Sequence, residues 1–398
     1  MTTLIDKRPA AKADQHPIAQ RLARETRGEV LFDEFSRGRY ATDASMYQIM
    51  PAGAFVPRTV EDARTAIALA REAGMPVTAR GGGTSQCGQT INSGLVIDTS
   101  KYLNKLISLD FEKQTCIVEP GLVLDDLNRA LKQHGLWFPV DVSTASRATL
   151  GGMAGNNSCG GRSLRYGTMR DNTIALEASL ADGSLVQFGP SSRSAARANE
   201  EWPGRDLMSR MLALGAREAD EIRARFPKVQ RRVGGYNLDA LLPDLTDANL
   251  AHLLVGSEGT LAFTTRLELK LWPVIRRRAV GVCHFGSFYE AMNAAQHIVK
   301  LKPIAVELVD RTMIGLGRDI AMFRPTVEAV VRGDPDALAA ARTPAARLSS
   351  SMWVVCPQVS QIRKMQSCKH PGWLLAMKAL ALSTRRTRLF ATNRSRMR

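Results

Sequence analysis

The clustering of glycine constrains this chain more than any other feature. The chain has 398 residues and 31 glycines, and 11 of these glycines fall within two short windows, residues 81–94 and 151–167. Because glycine lacks a Cβ, consecutive N–H groups can turn toward one point and the backbone can approach a ligand closely. The first window follows a cation and continues into two hydroxyl donors, as Arg80-Gly81-Gly82-Gly83-Thr84-Ser85. We therefore interpret it as a phosphate-binding loop, with an ordinary glycine-rich surface loop as the alternative.

Two common nucleotide-binding motifs are absent from the chain. Neither glycine window lies in a strand-helix-strand unit followed by the acidic residue of a Rossmann fingerprint. The Gly-x-x-x-x-Gly-Lys-Ser/Thr sequence of a P-loop does not occur. The loop thus indicates a different class of nucleotide site.

Helical and strand patterns alternate along the rest of the chain. Thr59 is suited to the N-cap of a helix that ends at Gly74, since Asp62 favours the first helical turn. An Asp182-Gly183 turn between two apolar runs predicts a β-hairpin. The other predicted elements are strands at 76–79, 95–98, 115–119, 174–180 and 185–188 and a helix at 124–134. Hairpins interleaved with helices indicate an α+β fold with mixed or antiparallel sheets.

The positive charge of the chain is concentrated in its last 62 residues. The formal net charge is +16, but residues 337–398 contain 12 Lys and Arg and no Asp or Glu. The preceding part holds 42 basic and 38 acidic residues, which argues against a nucleic-acid-binding protein. Three explanations of the segment 337–398 compete, namely a basic arm, a natural variable terminus and translation in a shifted reading frame. We favour the shifted frame and expect this basic, acid-free tail not to be natively folded.

Cysteine spacing and hydropathy exclude further classes of protein. The six cysteines lie far apart, with no Cys-x-x-Cys pair, so we expect no metal site and no iron-sulfur cluster within this chain. No apolar run approaches the roughly 20 residues that a transmembrane helix needs. We expect a cytoplasmic protein, either free or peripheral to the inner membrane.

Several motifs occur together and in order between about residues 30 and 330. They are Tyr40-Ala41-Thr42-Asp43-Ala44-Ser45, Val56-Pro57-Arg58-Thr59-Val60-Glu61-Asp62, Arg80 to Gln86, Glu119-Pro120-Gly121, Gly151 to Gly160 and Gly256-Ser257-Glu258-Gly259-Thr260-Leu261. Together they resemble the FAD-binding domain of the vanillyl-alcohol oxidase/p-cresol methylhydroxylase (PCMH) type. Within that family they are most similar to bacterial D-lactate, glycolate and D-2-hydroxyglutarate dehydrogenases. Asn156 to Gly160 and Arg231 to Asn237 resemble the long variants, in which an iron-sulfur module follows the flavin part.

The resemblance implies a set of cofactor-binding residues. Those expected to hold the FAD pyrophosphate are Arg80, Gly81, Gly82, Gly83, Thr84 and Ser85. Those expected along the opposite side of the diphosphate and ribityl chain are Thr149, Gly152, Gly155, Asn156 and Ser158. Pro120 and Gly121 would pass beside the flavin, Ile174 would receive the adenine end, and Glu258, Gly259 and Thr260 would close the pocket. Relatives with covalent flavin often carry His near the position of Thr84, so a non-covalent FAD is expected.

The resemblance also implies a domain organisation. An N-terminal extension (1–29) precedes a two-part FAD-binding domain (30–275), a partial substrate cap domain (276–336) and the tail (337–398). The cap is the opening half of a ferredoxin-like α/β unit, so we expect it to be incomplete.

The implied reaction is oxidation of a D-2-hydroxy acid to the 2-oxo acid, with hydride passing from C2 to flavin N5 and electrons passing to an unidentified acceptor. The family's catalytic histidines and carboxylate-binding arginine would lie beyond the cap and are not found here. A flavin-binding fragment without turnover is the second hypothesis, and a basic nucleic-acid-binding protein is the remote third.

Overall fold

The computed structural model describes residues 16–192, 204–275, 277–285, 287–324, 350–356 and 378–383. The chain divides into two compact units. The first unit is Met1–Cys159 with Thr168–Pro273, and the second is Gly160–Gly167 with Val274–Arg398. Each unit has its own sheet structure, and each is described separately below.

The first unit begins with a mixed four-stranded sheet. Its strands are β1 (Glu29–Leu31), β2 (Gly53–Val56), β3 (Val77–Arg80) and β4 (Leu95–Asp98), in the order β1-β2-β4-β3. Strand β1 is antiparallel to β2, whereas β4 is parallel to both β2 and β3. The helices in this part are α1 (Pro17–Glu25), α2 (Glu34–Tyr40) and α3 (Val60–Glu72).

Helix α3 begins where the sequence predicts and packs against this sheet. Thr59 caps the helix, because its side chain accepts from the Asp62 N–H while Asp62 accepts from the Thr59 N–H. The buried face of α3, which includes Ala63 and Ile67, packs in one apolar cluster with Phe55 of β2 and with α1. Part of the expected N-terminal extension thus contributes to the core, since Leu22 of α1 is fully buried.

An antiparallel five-stranded sheet forms the rest of the first unit. Its strands are β5 (Leu106–Asp110), β6 (Thr115–Val118), β8 (Thr173–Ser179), β9 (Leu185–Phe188) and β10 (Phe263–Lys270), in the order β5-β6-β10-β8-β9. Two short strands, β7 (Leu136–Trp137) and β11 (Trp272–Pro273), pair separately. The predicted hairpin is the β8-β9 pair, with Gly183 of its turn at φ +89°.

The helices of this second part complete the large apolar core of the unit. They are α4 (Leu124–Lys132), α5 (Leu150–Asn156), α7 (Arg205–Arg217), α8 (Ala219–Arg225) and α9 (Ala251–Leu254). Leu127 of α4 and Leu150 of α5 are fully buried in one cluster with Leu267 of the central strand β10.

The second unit contains a four-stranded antiparallel sheet. Its strands are β12 (Arg277–Phe285), β13 (Ala305–Asp310), β14 (Ser350–Cys356) and β15 (Lys378–Ser383), in the order β13-β14-β12-β15. The unit's helices are α6 (Ser163–Tyr166), α10 (Phe288–Ile298) and α11 (Arg311–Asp319). With α10 connecting β12 to β13, this is the strand order of a ferredoxin-like fold.

Here the structure goes further than the half unit expected from the sequence. Strands β14 and β15 both come from the tail, where we expected no native fold. Their sequences, SSMWVVC and KALALS, are short apolar runs, and such runs pair with an open sheet edge without any helical periodicity. The expectation for tail residues 337–349, 357–377 and 384–398 stays a prediction, because these lie outside the described residues.

Candidate functional site

A cleft in the first unit collects most of the conspicuous residues of the sequence. It opens where β3 ends and the first glycine window begins. Its wall residues are Ala79, Arg80, Gly81, Ser85, Gln89, Thr90, Thr99, Pro120, Gly151, Gly152, Gly155, Leu254, Ser257, Glu258, Gly259, Ala262, Phe263 and Thr264. The cleft therefore brings together both glycine windows and the 256–260 loop, which are far apart along the chain.

The cleft wall includes eight of the residues proposed from the sequence to bind the cofactor. These are Arg80, Gly81, Ser85, Pro120, Gly152, Gly155, Glu258 and Gly259. The others proposed lie outside the wall itself and are Gly82, Gly83, Thr84, Gly121, Thr149, Asn156, Ser158, Ile174 and Thr260. Ile174 is in β8, and its carbonyl oxygen already accepts a hydrogen bond from Asn249 Nδ2 at 2.9 Å.

The first glycine window packs closely against residues 147–149, which directly precede the second window. A Cβ added to Gly81 would overlap the Thr149 hydroxyl, and one added to Gly82 would overlap the Arg147 carbonyl oxygen. Gly83 has a φ of +63°, in the left-handed region that L side chains rarely adopt. Glycine is thus required here for space at two positions and for backbone conformation at the third.

The N–H groups of the first window are available to a ligand. Within the described part of the chain, the backbone N–H groups of residues 81–85 donate to no protein acceptor. Consecutive backbone N–H groups without protein acceptors can together bind an anion. The loop is therefore chemically suited to an oxygen-rich anionic group.

The Arg80 side chain stabilises the position of this loop. Its guanidinium donates to the carbonyl oxygens of Thr42 at 2.8 Å and Thr90 at 3.4 Å, and it lies 5.3 Å from the ring centroid of Tyr40. The Ala44 N–H in turn donates to the Gly83 carbonyl oxygen at 3.1 Å. The Arg80 side chain therefore ties residues 40–44 to the glycine loop, which is a positioning role that the sequence did not reveal.

A buried pair lies beneath the same loop. The Tyr40 hydroxyl donates to Asp98 Oδ2 at 2.8 Å, and both residues are buried. Burial and the neighbouring Asp98 carboxylate raise the pKa of Tyr40, so the phenol stays neutral. Asp98 ends β4, so this bond joins the sheet to helix α2.

The second glycine window begins as a helix, which the sequence analysis did not predict. Thr149 caps α5 by accepting from the Gly152 N–H at 3.4 Å, and Asn157 ends it in the left-handed conformation at φ +52°. Leu150, Met153 and Ala154 bury the inner face of the helix, and this packing offsets the low helix propensity of its glycines.

The 256–260 loop forms the third wall of the cleft. Gly256, Glu258 and Gly259 all have positive φ, at +88°, +52° and +75°. The Glu258 N–H donates to the Gly155 carbonyl oxygen at 2.9 Å, and Asn156 Nδ2 donates to Glu258 Oε1 at 2.9 Å. Burial raises the pKa of the Glu258 carboxyl. Loop and helix α5 are thus fixed to each other at the cleft.

A segment that we name the strap, residues 232–239, holds this loop from outside. Asn237 Nδ2 donates to the Val255 carbonyl oxygen at 2.8 Å, and the Tyr236 and Thr260 hydroxyls lie 2.8 Å apart. Asp239 anchors the strap by pairing with Arg170 at 2.9 Å and with Arg232. Sequence reasoning noted residues 231–237 but missed Arg170 and Asp239, which lie 69 positions apart.

Other wall residues were also missed. Gln89 and Thr90 lie inside the first glycine window, so the window itself was a usable signal for them. Ser257 lies inside the motif Gly256 to Leu261, which was a usable signal for it. Thr99 and Phe263 had no comparable signal, because only the fold brings them to the cleft. No group of three or more His, Cys, Asp or Glu residues suited to a metal ion is found in the described ranges, and in the same ranges no helix is long and apolar enough to cross a membrane.

Part of this chain matches a known protein family. Residues 51–189 match the model of the FAD binding domain family. D-2-hydroxyglutarate dehydrogenases of Pantoea ananatis and Escherichia coli are 32% and 33% identical over 302 and 299 residues. These alignments cover 74% and 73% of this chain, but it spans only about 30% of the length of these curated relatives.

Solved structures agree on the fold. An alkyldihydroxyacetonephosphate synthase superposes with a TM-score of 0.64 at 17% identity, covering 92% of this chain and 64% of the other. The Physcomitrella patens BBE-like 1 protein gives a TM-score of 0.56 at 13% identity, covering 91% and 62%. The α+β class and the PCMH-type fold expected from the sequence are confirmed. Residues 51–189 therefore belong to the FAD binding domain family, and their fold is of the PCMH type.

Proposed function

We propose that the first unit binds FAD without a covalent link and that the chain is the flavin part of a D-2-hydroxy-acid dehydrogenase. The observation that carries the proposal is the row of N–H groups at residues 81–85, which donate to no acceptor among the described residues. The hydroxy-acid dehydrogenases among the relatives support the substrate class.

The residues of the cleft are suited to a dinucleotide. A diphosphate needs several donors at close range, and the glycine loop offers consecutive N–H groups with the Thr84 and Ser85 hydroxyls beside them. The overlap that a Cβ would produce at Gly81 and Gly82 supports the proposal, because only glycine lets the loop pack so closely against Thr149 and Arg147. These residues would hold the diphosphate, and the 256–260 loop would close over the cofactor.

Bound FAD would supply an acceptor for the hydride that leaves C2 of a 2-hydroxy acid. The chain's own residues would bind and orient the cofactor. Arg80 keeps the loop in shape through carbonyl contacts, and Asn156 and Gln89 hold the Glu258 carboxyl at the cleft wall. A base and a carboxylate anchor for the substrate are not among the residues that we assign.

A flavin-binding fragment without turnover is the second candidate. It is favoured by one observation, the coverage of only about 30% of the length of the hydroxyglutarate dehydrogenases. In both candidates the cofactor site is the same, and the two differ in whether a hydroxy acid can reduce the flavin.

Acid treatment tests the non-covalent link. The resemblance places Thr84 near the position where relatives with covalent flavin often carry His, and a threonine hydroxyl is not expected to form such a link. Trichloroacetic acid should therefore release the flavin to the supernatant and leave a colourless pellet. A yellow pellet that keeps its flavin through washing would contradict the non-covalent assignment.

Anaerobic mixing of the flavin-loaded chain with substrate tests the reaction. D-2-hydroxyglutarate or D-lactate should bleach the visible flavin absorbance, whereas the L-enantiomers should not. A flavin that dithionite reduces but no D-2-hydroxy acid reduces would favour the fragment without turnover.

A further inference from the structure

Glu258 occupies a backbone conformation that its side chain makes unfavourable. Its φ is +52°, between two glycines that also have positive φ. A non-glycine residue in the left-handed region is energetically unfavourable, and such strain concentrates at functional sites. Glycine would adopt the same conformation without this cost. The presence of a carboxyl group at a position where glycine would fit without strain therefore needs an explanation.

The carboxyl faces amide donors from both walls of the cleft. Asn156 Nδ2, at the end of α5, donates to Oε1 at 2.9 Å, and Gln89 Nε2, in the first glycine window, lies 3.5 Å from the same oxygen. Among the residues that the structure describes, no lysine or arginine forms an ion pair with Glu258. Burial, without a compensating cation, raises the pKa of this carboxyl.

The other elements at the cleft leave the carboxyl without a compensating charge. Arg80, which directly precedes the first window, directs its guanidinium at the Thr42 and Thr90 carbonyl oxygens. Asp43 accepts a hydrogen bond from the hydroxyl of the wall residue Thr90 at 3.1 Å. The strap contributes the neutral Tyr236 hydroxyl, which lies 2.8 Å from the Thr260 hydroxyl of the 256–260 loop.

We infer that Glu258 is a proton-holding residue of the cofactor site, so that binding of FAD takes up a proton at this carboxyl. The inference rests on the proposed function, because it requires FAD in the cleft. A diphosphate brings negative charge beside a half-buried acid that no cation balances, and an ionised carboxylate there would be repelled. A protonated carboxyl removes the repulsion and gains an O–H donor.

The sign of the pH dependence follows from linkage. The pKa of Glu258 is raised in the free protein and would be raised further in the complex. FAD affinity should therefore be highest below the free-protein pKa and should fall as the pH rises through it, until the pKa of the complex is passed. Each additional pKa unit in the complex corresponds to about a tenfold loss of affinity across this range.

The test is the dissociation constant of FAD on the full chain, measured by flavin fluorescence between about pH 5.5 and about pH 8.5. We expect about a tenfold weakening with rising pH for the wild type. Glu258→Gln keeps the shape of the side chain but cannot titrate, so its profile should be flat and close to the low-pH affinity of the wild type. Glu112→Gln, an exposed acid of the β5-β6 turn, should keep the wild-type slope.

Calorimetry in two buffers of different ionisation enthalpy gives an independent readout, with proton uptake on binding in the wild type and none in Glu258→Gln. A wild-type profile without slope, or a slope that persists in Glu258→Gln, would overturn the inference while leaving the FAD site intact. Failure to bind FAD at any pH would overturn the proposed function and the inference with it.

Discussion

Gly82→Val is expected to weaken the affinity for FAD by about a hundredfold or more, while the chain stays folded. The first side-chain atom at this position would overlap the Arg147 carbonyl oxygen. A β-branched residue therefore has to push the loop away from Arg147 and displace the N–H groups of the loop. Gly82→Ala should show a smaller loss in the same direction.

The measurement is the flavin content after incubation with excess FAD and gel filtration, with thermal unfolding as the check on folding. Gly38→Ala is the matched control, because a Cβ at Gly38 meets nothing within 4 Å and the residue lies in helix α2. A Gly82→Val protein with full flavin occupancy would show that the glycine loop is not the phosphate site.

The second large effect is expected on stability, from Asp239→Asn. Its carboxylate is 15% exposed and pairs with Arg170 and Arg232, which are 16% and 26% exposed. Removing the charge leaves two cations close together with little access to water, and we expect a loss of about 2 kcal/mol of unfolding free energy after allowance for partial solvent screening. For a unit of this size that lowers the Tm by about 4 to 8 °C.

Asp206→Asn provides the comparison, since it breaks an Asp-Arg pair whose side chains are 85% and 67% exposed. Exposed i,i+4 helix pairs of this kind contribute about 0.3 to 0.5 kcal/mol, so its Tm should stay within about 2 °C of the wild type. If calorimetry gave equal Tm values for the two variants, the strap would not be held by its ion pairs.

The sequence predicts those elements whose signals are local. Helix α3 was predicted because Thr59, Asp62 and Gly74 mark its ends within sixteen residues. The predicted 95–98 strand and the 185–188 arm of the hairpin coincide with β4 and β9 for the same reason, since each is a short apolar run bounded by polar or turn residues. The resemblance to a known family then supplied eight of the eighteen residues that line the cleft.

The features that the sequence did not predict depend on pairing between residues that lie far apart along the chain. Strand β10 is central to the second sheet because it pairs with β6 and β8, which lie far back along the chain. Helix α5 was missed because its glycines argue against a helix, and only burial of Leu150 and Met153 outweighs them. The strap shows neither helical nor strand periodicity. The pairing of its residue Asp239 with Arg170 becomes apparent only in the folded chain.

The tail illustrates the same limit. Strands β14 and β15 carry no amphipathic repeat, and what places them in a sheet is the open edges offered by β12 and β13. The sequence pattern of a segment cannot by itself predict a strand that forms only through pairing with distant strands.

The most direct test of the account is the visible absorption spectrum of the purified full chain after incubation with FAD and removal of the excess. The account predicts a flavin spectrum with about one FAD per chain, in line with the single glycine cradle of the first unit. A chain that remains colourless, although thermal unfolding shows it to be folded, would contradict the central claim that the cleft is an FAD site.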